Sequence, residues 1–243
     1  MSVMVLLSTA LFAAENIPSH EAIATIVDGT AEILAKGADP AHALRKGDGI
    51  RKDQTVKVGD KSRVEIRFPD GTVMRLSERS RLAMQDIMYD NTTEGKNVKV
   101  NLTIGKLWAN VRKLVTPDSK VEVRTGNAVA GVRGTTYRVS VDGDKSALVK
   151  VYDGTVYVAN PPKDAATGRP AVQVSKPAEV SGPYAVAPAF HEVSMEEWTV
   201  IVKAMQQVTV SPQGIASKPQ DFDARSDADA WVTWNQERDK QAL

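Results

Sequence analysis

RVEIRFPDGTVMRL, Arg63 to Leu76, reads as two short strands around a tight reversal. Pro69-Asp70-Gly71 suits a three-residue hairpin loop, a type I turn closed by glycine in the left-handed conformation. That loop sets the register. Phe68 opposes Thr72, Ile66 opposes Met74 and Val64 opposes Leu76 on one face, while Glu65 meets Arg75 on the other. A two-residue loop would place Ile66 against Arg75 and mix the core and solvent sides, so the three-residue register is expected.

The same alternation extends in both directions. From Ala22 to about Val158 apolar residues, rich in Val and Ile, recur with period two and read as short strands between turns. Asp-Gly-Thr returns at Asp28–Thr30 and Asp153–Thr155. At the latter, a two-residue Asp-Gly turn would set Val151 against Val156 and Val149 against Val158. The copies are unequally spaced with different flanks, which marks recurrent turn chemistry and not a propeller or solenoid. VKVNLTIGKLWANVRK, Val98 to Lys113, alternates with Leu102, Ile104, Leu107 and Val111 inward and Gly105 as a bend or bulge.

After Asn160 the composition changes. Residues 161–190 read as a proline-rich loop with strands, at 171–174 or 178–180, only at an edge. Residues 191–243 read as a helical tail. Ser194 and Glu197 form a capping-box pattern that places Trp198, Ile201, Val202 and Met205 on one helix face. A second helix is expected from about Asp227 to Lys240, with Trp231 and Trp234 three apart, after a linker at SPQGIASKPQ. The fold class expected is all-β: two packed sheets or a flattened β-roll of short strands over residues 22–160, with one or two C-terminal amphipathic helices.

A chain of 243 residues can bury a substantial core. With 31 Lys plus Arg against 30 Asp plus Glu, it carries no strong field for nucleic acid, which is excluded as an expected partner. The absence of cysteine rules out disulfides, thiolate metal sites and a cysteine nucleophile. Residues 1–14, MSVMVLLSTALFAA, resemble the apolar core and small-residue cleavage region of a secretory signal, with cleavage expected after Ala13 or Ala14. The run is too short to span a membrane as a helix. A periplasmic or secreted location follows as the expectation.

In AVAGVRGTTYRVSV, Ala128 to Val141, Arg133 stands between small residues at the mouth of a strand. A guanidinium there could meet an anionic ligand or a partner carboxylate. It could equally serve as a partly buried brace bonded to carbonyls or to a neighbouring acid, and this is the reading adopted, because Gly131 and Gly134 allow close backbone approach and Thr135 opens a strand. TGNAVAGVRGTTYRVSV followed by ALVKVYDGTVYV resembles the signature of the FecR domain. LRKGDGIRKDQTVKVGDKSRVEIRFPDGTVMRLSERSRL is similar to the family's first half. Together these cover roughly Leu44 to Val158, with Gly131, Arg133, Gly134, Thr135, Asp153 and Gly154 as the structural motif residues.

The best-known member of that family is an inner-membrane regulator that passes a siderophore-receptor signal to an extracytoplasmic-function sigma factor. The present sequence shows neither that member's anti-sigma segment nor its spanning helix, so the resemblance implies an exported, stand-alone form. The expected function is non-enzymatic binding of a protein or glycan of the cell envelope, within a sensory or surface-assembly system. A diverged regulator of a sigma-factor pathway is one alternative, and an envelope hydrolase with a carboxylate pair is another.

Neither a cofactor nor a metal is expected. His20, His42 and His191 are scattered, no serine sits in a nucleophile elbow, and DFDARSDADA lacks the glycine and terminal glutamate of a calcium loop. Trp198, Trp231 and Trp234 are the candidate partner-binding residues, against the alternative that they pin the tail to its own domain.

Overall fold

Branched apolar residues alternating with polar ones, interrupted by glycine-bearing turns, produce seventeen strands and one helix among the described residues. The computed structural model describes residues 17–35, 41–90, 92–117, 119–161 and 199–241. The signal-like segment, most of the proline-rich loop with its candidate edge strands, His191, the Ser194 capping box and Trp198 lie outside the described residues.

In chain order the strands begin with β1 (Glu21–Asp28), β2 (Ala31–Leu34), β3 (His42–Ala43), β4 (Gly49–Arg51), β5 (Thr55–Val58) and β6 (Arg63–Arg67). Next come β7 (Val73–Leu76), β8 (Arg81–Asp90), β9 (Gly95–Asn110), β10 (Lys120–Arg124), β11 (Val129–Val132) and β12 (Thr136–Val141). The last are β13 (Ala147–Asp153), β14 (Thr155–Ala159), β15 (Thr199–Lys203), β16 (Gln206–Val210) and β17 (Gln220–Asp221), followed by helix α1 (Ala230–Gln241).

Two sheets result. The first runs β4-β1-β6-β7-β9-β12-β13-β16-β17. The second runs β3-β2-β5-β8-β9-β10-β11-β14-β15. Every pairing is antiparallel except β9 with β10. Strand β9 belongs to both sheets, pairing with β8 and β10 through residues 95–104 and with β7 and β12 through residues 105–110. Ile66, Met74, Leu107, Tyr137 and Val149 of the first sheet and Val56, Leu82, Val100, Val123 and Val158 of the second are buried in one core cluster. Full burial of such side chains contributes about 1.5–3 kcal/mol each.

The β6–β7 hairpin has the expected register, with Val64 opposite Leu76, Glu65 opposite Arg75 and Ile66 opposite Met74. Asp70 fixes the turn by accepting hydrogen bonds from the Thr72 amide at 2.9 Å and the Thr72 hydroxyl at 2.8 Å. The other two Asp-Gly-Thr copies behave differently. Gly29 and Gly154 stand at corners where the chain leaves the first sheet for the second. The hairpin expected at Asp153-Gly154 is therefore corrected: β13 pairs with β12 and β16, while β14 pairs with β11 and β15. Val149, Val151, Val156 and Val158 are all buried, but as contributions from two layers. Sequence alternation is the same for a hairpin and a corner, so it could not separate them.

Two further expectations change. Ile104 is 41 % exposed, because a register shift between its pairing with Arg81 and that of Leu102 with Leu82 reverses its side. The helix expected to carry Ile201, Val202 and Met205 is, from Thr199 onward, the strand pair β15 and β16 with Met205 at φ 63° in the turn between them. Thr199, Val200, Ile201 and Val202 form a β-branched run, which crowds a helix and suits a strand laid on the open edge of β14.

Candidate functional site

The outer face of the first sheet carries a row of polar and aromatic side chains that the strand registers place side by side. Glu65 on β6 opposes Arg75 on β7, which opposes Trp108 on β9, which opposes Arg138 on β12, which opposes Lys150 on β13. Their sequence neighbours Val64, Met74, Leu107, Val139 and Val149 face the core, so alternation alone turns this row outward. Outward residues of a sheet normally meet solvent, yet Glu65, Arg75 and Trp108 are each only 1 % exposed.

The C-terminal segment covers them, and two carboxylates hold it there. Asp239 on α1 accepts from Arg75 Nη1 at 2.6 Å and from Trp108 Nε1 at 2.9 Å. Asp227, ahead of α1, accepts from Arg138 Nη2 at 2.9 Å, from Lys150 Nζ at 2.6 Å and from the Tyr152 hydroxyl. Arg75 Nε also donates to Glu65 Oε2 at 2.7 Å. Asp229 caps the helix by accepting from the Val232 amide at 2.7 Å. Aromatic contacts fill the space between: Trp108 lies against Tyr152 at 4.5 Å and Tyr152 meets Phe222 edge-on at 5.4 Å.

Glu65 and Asp227 titrate below the usual carboxylate range. Burial alone would raise both. For Glu65 it is outweighed by hydrogen bonds from Arg75 and Thr25 and the charges of Arg75 and Arg238; for Asp227, by hydrogen bonds from Lys150 and Tyr152 and the charges of Arg138 and Lys150. A carboxylate with a depressed folded pKa contributes stability that is complete above its unfolded value of about 4 and is lost as pH falls through the folded one. The tail is therefore expected to stay attached from about pH 5 upward and to loosen below about pH 4. The check is tryptophan emission from Trp231 and Trp234 during acid titration. Emission that stays constant until the sandwich itself unfolds would contradict this.

The residues singled out from sequence fall in two places. Gly134, Thr135 and Gly154 form the corner where β11 passes into β12 beside the turn from β13 to β14. Gly134, at φ 89°, lies so close to Lys113 that a Cβ would stand 2.8 Å from its Cα. Thr135 is buried; its amide donates to the Val111 carbonyl at 3.2 Å and its hydroxyl to the Thr155 carbonyl at 3.0 Å. Asp153 is exposed at the end of β13, and Gly131 sits within β11 without a positive φ. Arg133 is exposed and has no hydrogen bond or ion pair among the described residues, so the brace reading is corrected. The corner is held by backbone and threonine bonds without its help. Arg133→Ala is accordingly expected to change stability by no more than about 0.5 kcal/mol, read as an unmoved thermal midpoint.

Trp231 and Trp234 lie on α1 with ring centroids 5.5 Å apart, and the Arg63 guanidinium stands 4.4 Å from the Trp234 ring. Both belong to the covering helix. Arg75, Trp108, Arg138, Lys150, Asp227 and Asp239 were not marked from sequence. Their only signal was the Glu65–Arg75 cross-strand pair, because the rest of the row depends on strand order.

Residues 54–157 match the family model described as FecR protein. These residues form a FecR domain. The match spans the whole row from Glu65 to Lys150 and Tyr152 beside it, whereas Asp227 and Asp239 belong to the segment that follows the matched residues. Two crystal structures of a "putative anti-sigma factor" from Parabacteroides distasonis ATCC 8503, at 1.65 and 2.50 Å resolution, are similar to the chain at 18% and 17% identity, each with a TM-score of 0.45. The alignments cover 70% of this chain and 61% of those chains. No curated protein matches significantly.

Among the described residues no group of three or more His, Asp or Glu is placed to hold a metal, and no helix is long and apolar enough to cross a membrane.

Proposed function

We propose that the chain is a non-enzymatic regulator of envelope signalling that acts by binding a protein partner through its FecR domain. The observation that carries this reading is the family match over residues 54–157, because the family resemblance implies periplasmic signal transfer to an extracytoplasmic-function sigma factor. The apolar stretch from Met1 to Ala14 supports an exported location. A hydrolase with a proton-holding carboxyl fits poorly here, since Glu65 in the row and Asp227 on the covering segment are both held ionised by paired cations. A protein partner suits the arginines and tryptophan of the row and the half-buried Tyr152 beside it, residue types enriched where proteins meet.

The test is genetic and direct. Deletion in the native host is expected to change transcription of a small, coherent gene set, restored by the wild-type chain. A fusion of residues 1–243 to a reporter active only outside the cytoplasm is expected to be active. An unchanged transcriptome under envelope stress would overturn the regulatory reading, and a silent fusion would overturn export.

A further inference from the structure

We propose that the charged row is an exchangeable docking surface, and that an acidic helical segment of a partner protein displaces the chain's own C-terminal segment from it. This deepens the protein-binding reading above and rests on it. Charge provides the first argument. The row holds the cations Arg75, Arg138 and Lys150 against the single carboxylate Glu65, and the tail answers those cations with Asp227 and Asp239 while its Arg238 stands 3.6 Å from Glu65. Any occupant must do the same, because an unpaired buried guanidinium is strongly unfavourable.

The second argument is that the tail fits incompletely. Arg138 is only 6 % exposed, yet its Nε has no acceptor, and neither do the buried Nε of Arg238 nor Nε1 of Trp231. An occupant with one more acceptor beside Arg138 would satisfy a donor that the tail leaves bare.

The third argument concerns strength. Of α1, only Val232 and Asn235 are fully buried, so the attachment rests on ion pairs and partly covered tryptophans, in contrast to the buried, valine-rich layer between the sheets. Paired charges gain little net stability after desolvation. Besides the Asp227 contacts and the Phe222 ring, the stretch leading to α1 is anchored by the two-residue strand β17 and by turn bonds. The covering segment is thus held by less buried apolar contact than the sheets it covers, as segments that move in regulation must be. The partner segment is defined by chemistry: one carboxylate reaches Arg138, Lys150 and Tyr152, a second bridges Arg75 and Trp108, and an aromatic ring lies between.

The probe is a fluorescein-labelled peptide with the sequence of residues 222–241, titrated into the full chain and into the full-length double variant Asp227→Asn/Asp239→Asn. In the wild-type chain the tethered tail competes. In the variant it is weakened, and the peptide is expected to bind at least about tenfold tighter, a factor that the loss of even one of the five bonds to these carboxylates would supply. A peptide with Asp227 and Asp239 changed to asparagine is expected not to bind. Equal binding to both proteins, or equal binding of the two peptides, would overturn the proposal, and so would a concentration-dependent dimer of the variant, which would assign the surface to a second copy.

Should the variant not fold, hydrogen exchange on the wild-type chain decides. Amides of α1 are expected to exchange at least about tenfold faster than those of β12 and β13. Exchange in step with those strands would overturn exchangeability. None of these outcomes depends on transcription, so failure here leaves the regulatory reading standing, and the reverse also holds.

Discussion

Arg75→Met is expected to lower the free energy of unfolding by about 3–5 kcal/mol. The guanidinium is 1 % exposed and joins Glu65, also 1 % exposed, to Asp239 on the covering helix. Its removal leaves Glu65 with the Thr25 hydroxyl at 2.7 Å and the more distant Arg238 and Arg67 at 3.6 and 3.9 Å, too little to compensate a buried charge. The loss should shrink as pH falls. Without Arg75, burial dominates at Glu65 and raises its pKa, so protonation relieves the penalty in acid. The companion variant Glu65→Met/Arg75→Met is expected to recover most of the loss, since matched apolar side chains substitute well for a buried pair. Urea midpoints of the wild type, of Glu65→Met and Arg75→Met alone, and of the double variant provide the check. A double variant as unstable as the sum of the two single ones would show that the two residues act independently, with no orphaned-charge penalty for the second substitution to relieve.

Gly105→Ala is expected to cost about 2–5 kcal/mol, combining backbone strain with overpacking. Gly105 has φ 97°, and a Cβ there would stand 2.3 Å from Ser80 Oγ and 2.6 Å from Ser80 Cα. Ser80 cannot simply turn away, because its hydroxyl accepts from the Lys106 amide at 3.0 Å and donates to the Lys106 carbonyl at 3.2 Å. Gly143→Ala serves as the control. Nothing lies within 4 Å of the Cβ position there, and a change within about 0.5 kcal/mol is expected. Comparable losses at both sites, measured by chemical unfolding, would remove the argument from close approach.

Local pattern was enough to read the hairpin from Val64 to Leu76, because a three-residue loop and an alternating face leave one consistent register. It was also enough to read the all-β class and the helix that carries Trp231 and Trp234. It failed at Asp153-Gly154 and at Arg133, and the reason is the same. A glycine corner between two layers and a glycine turn within one layer share a sequence pattern, so the surroundings of neither residue follow from its own neighbours. The row from Glu65 to Lys150 was hidden for a related reason. Its members come from five strands, and their adjacency exists only once β9 has been placed between β7 and β12. That Arg138 would meet Asp227, 89 positions away, had no local trace at all.

The double membership of β9 bears on how the molecule is made. On a nascent chain, β1 to β8 can pair among themselves in both layers, and β9 then seals that lobe along one of its edges. Its opposite edge is the template on which β10 and β12 must later register. Until they emerge, that ribbon offers a row of unanswered amides and carbonyls to any passing strand, so the interval between synthesis of Asn110 and of Val141 is when the growing polypeptide is most open to misassembly.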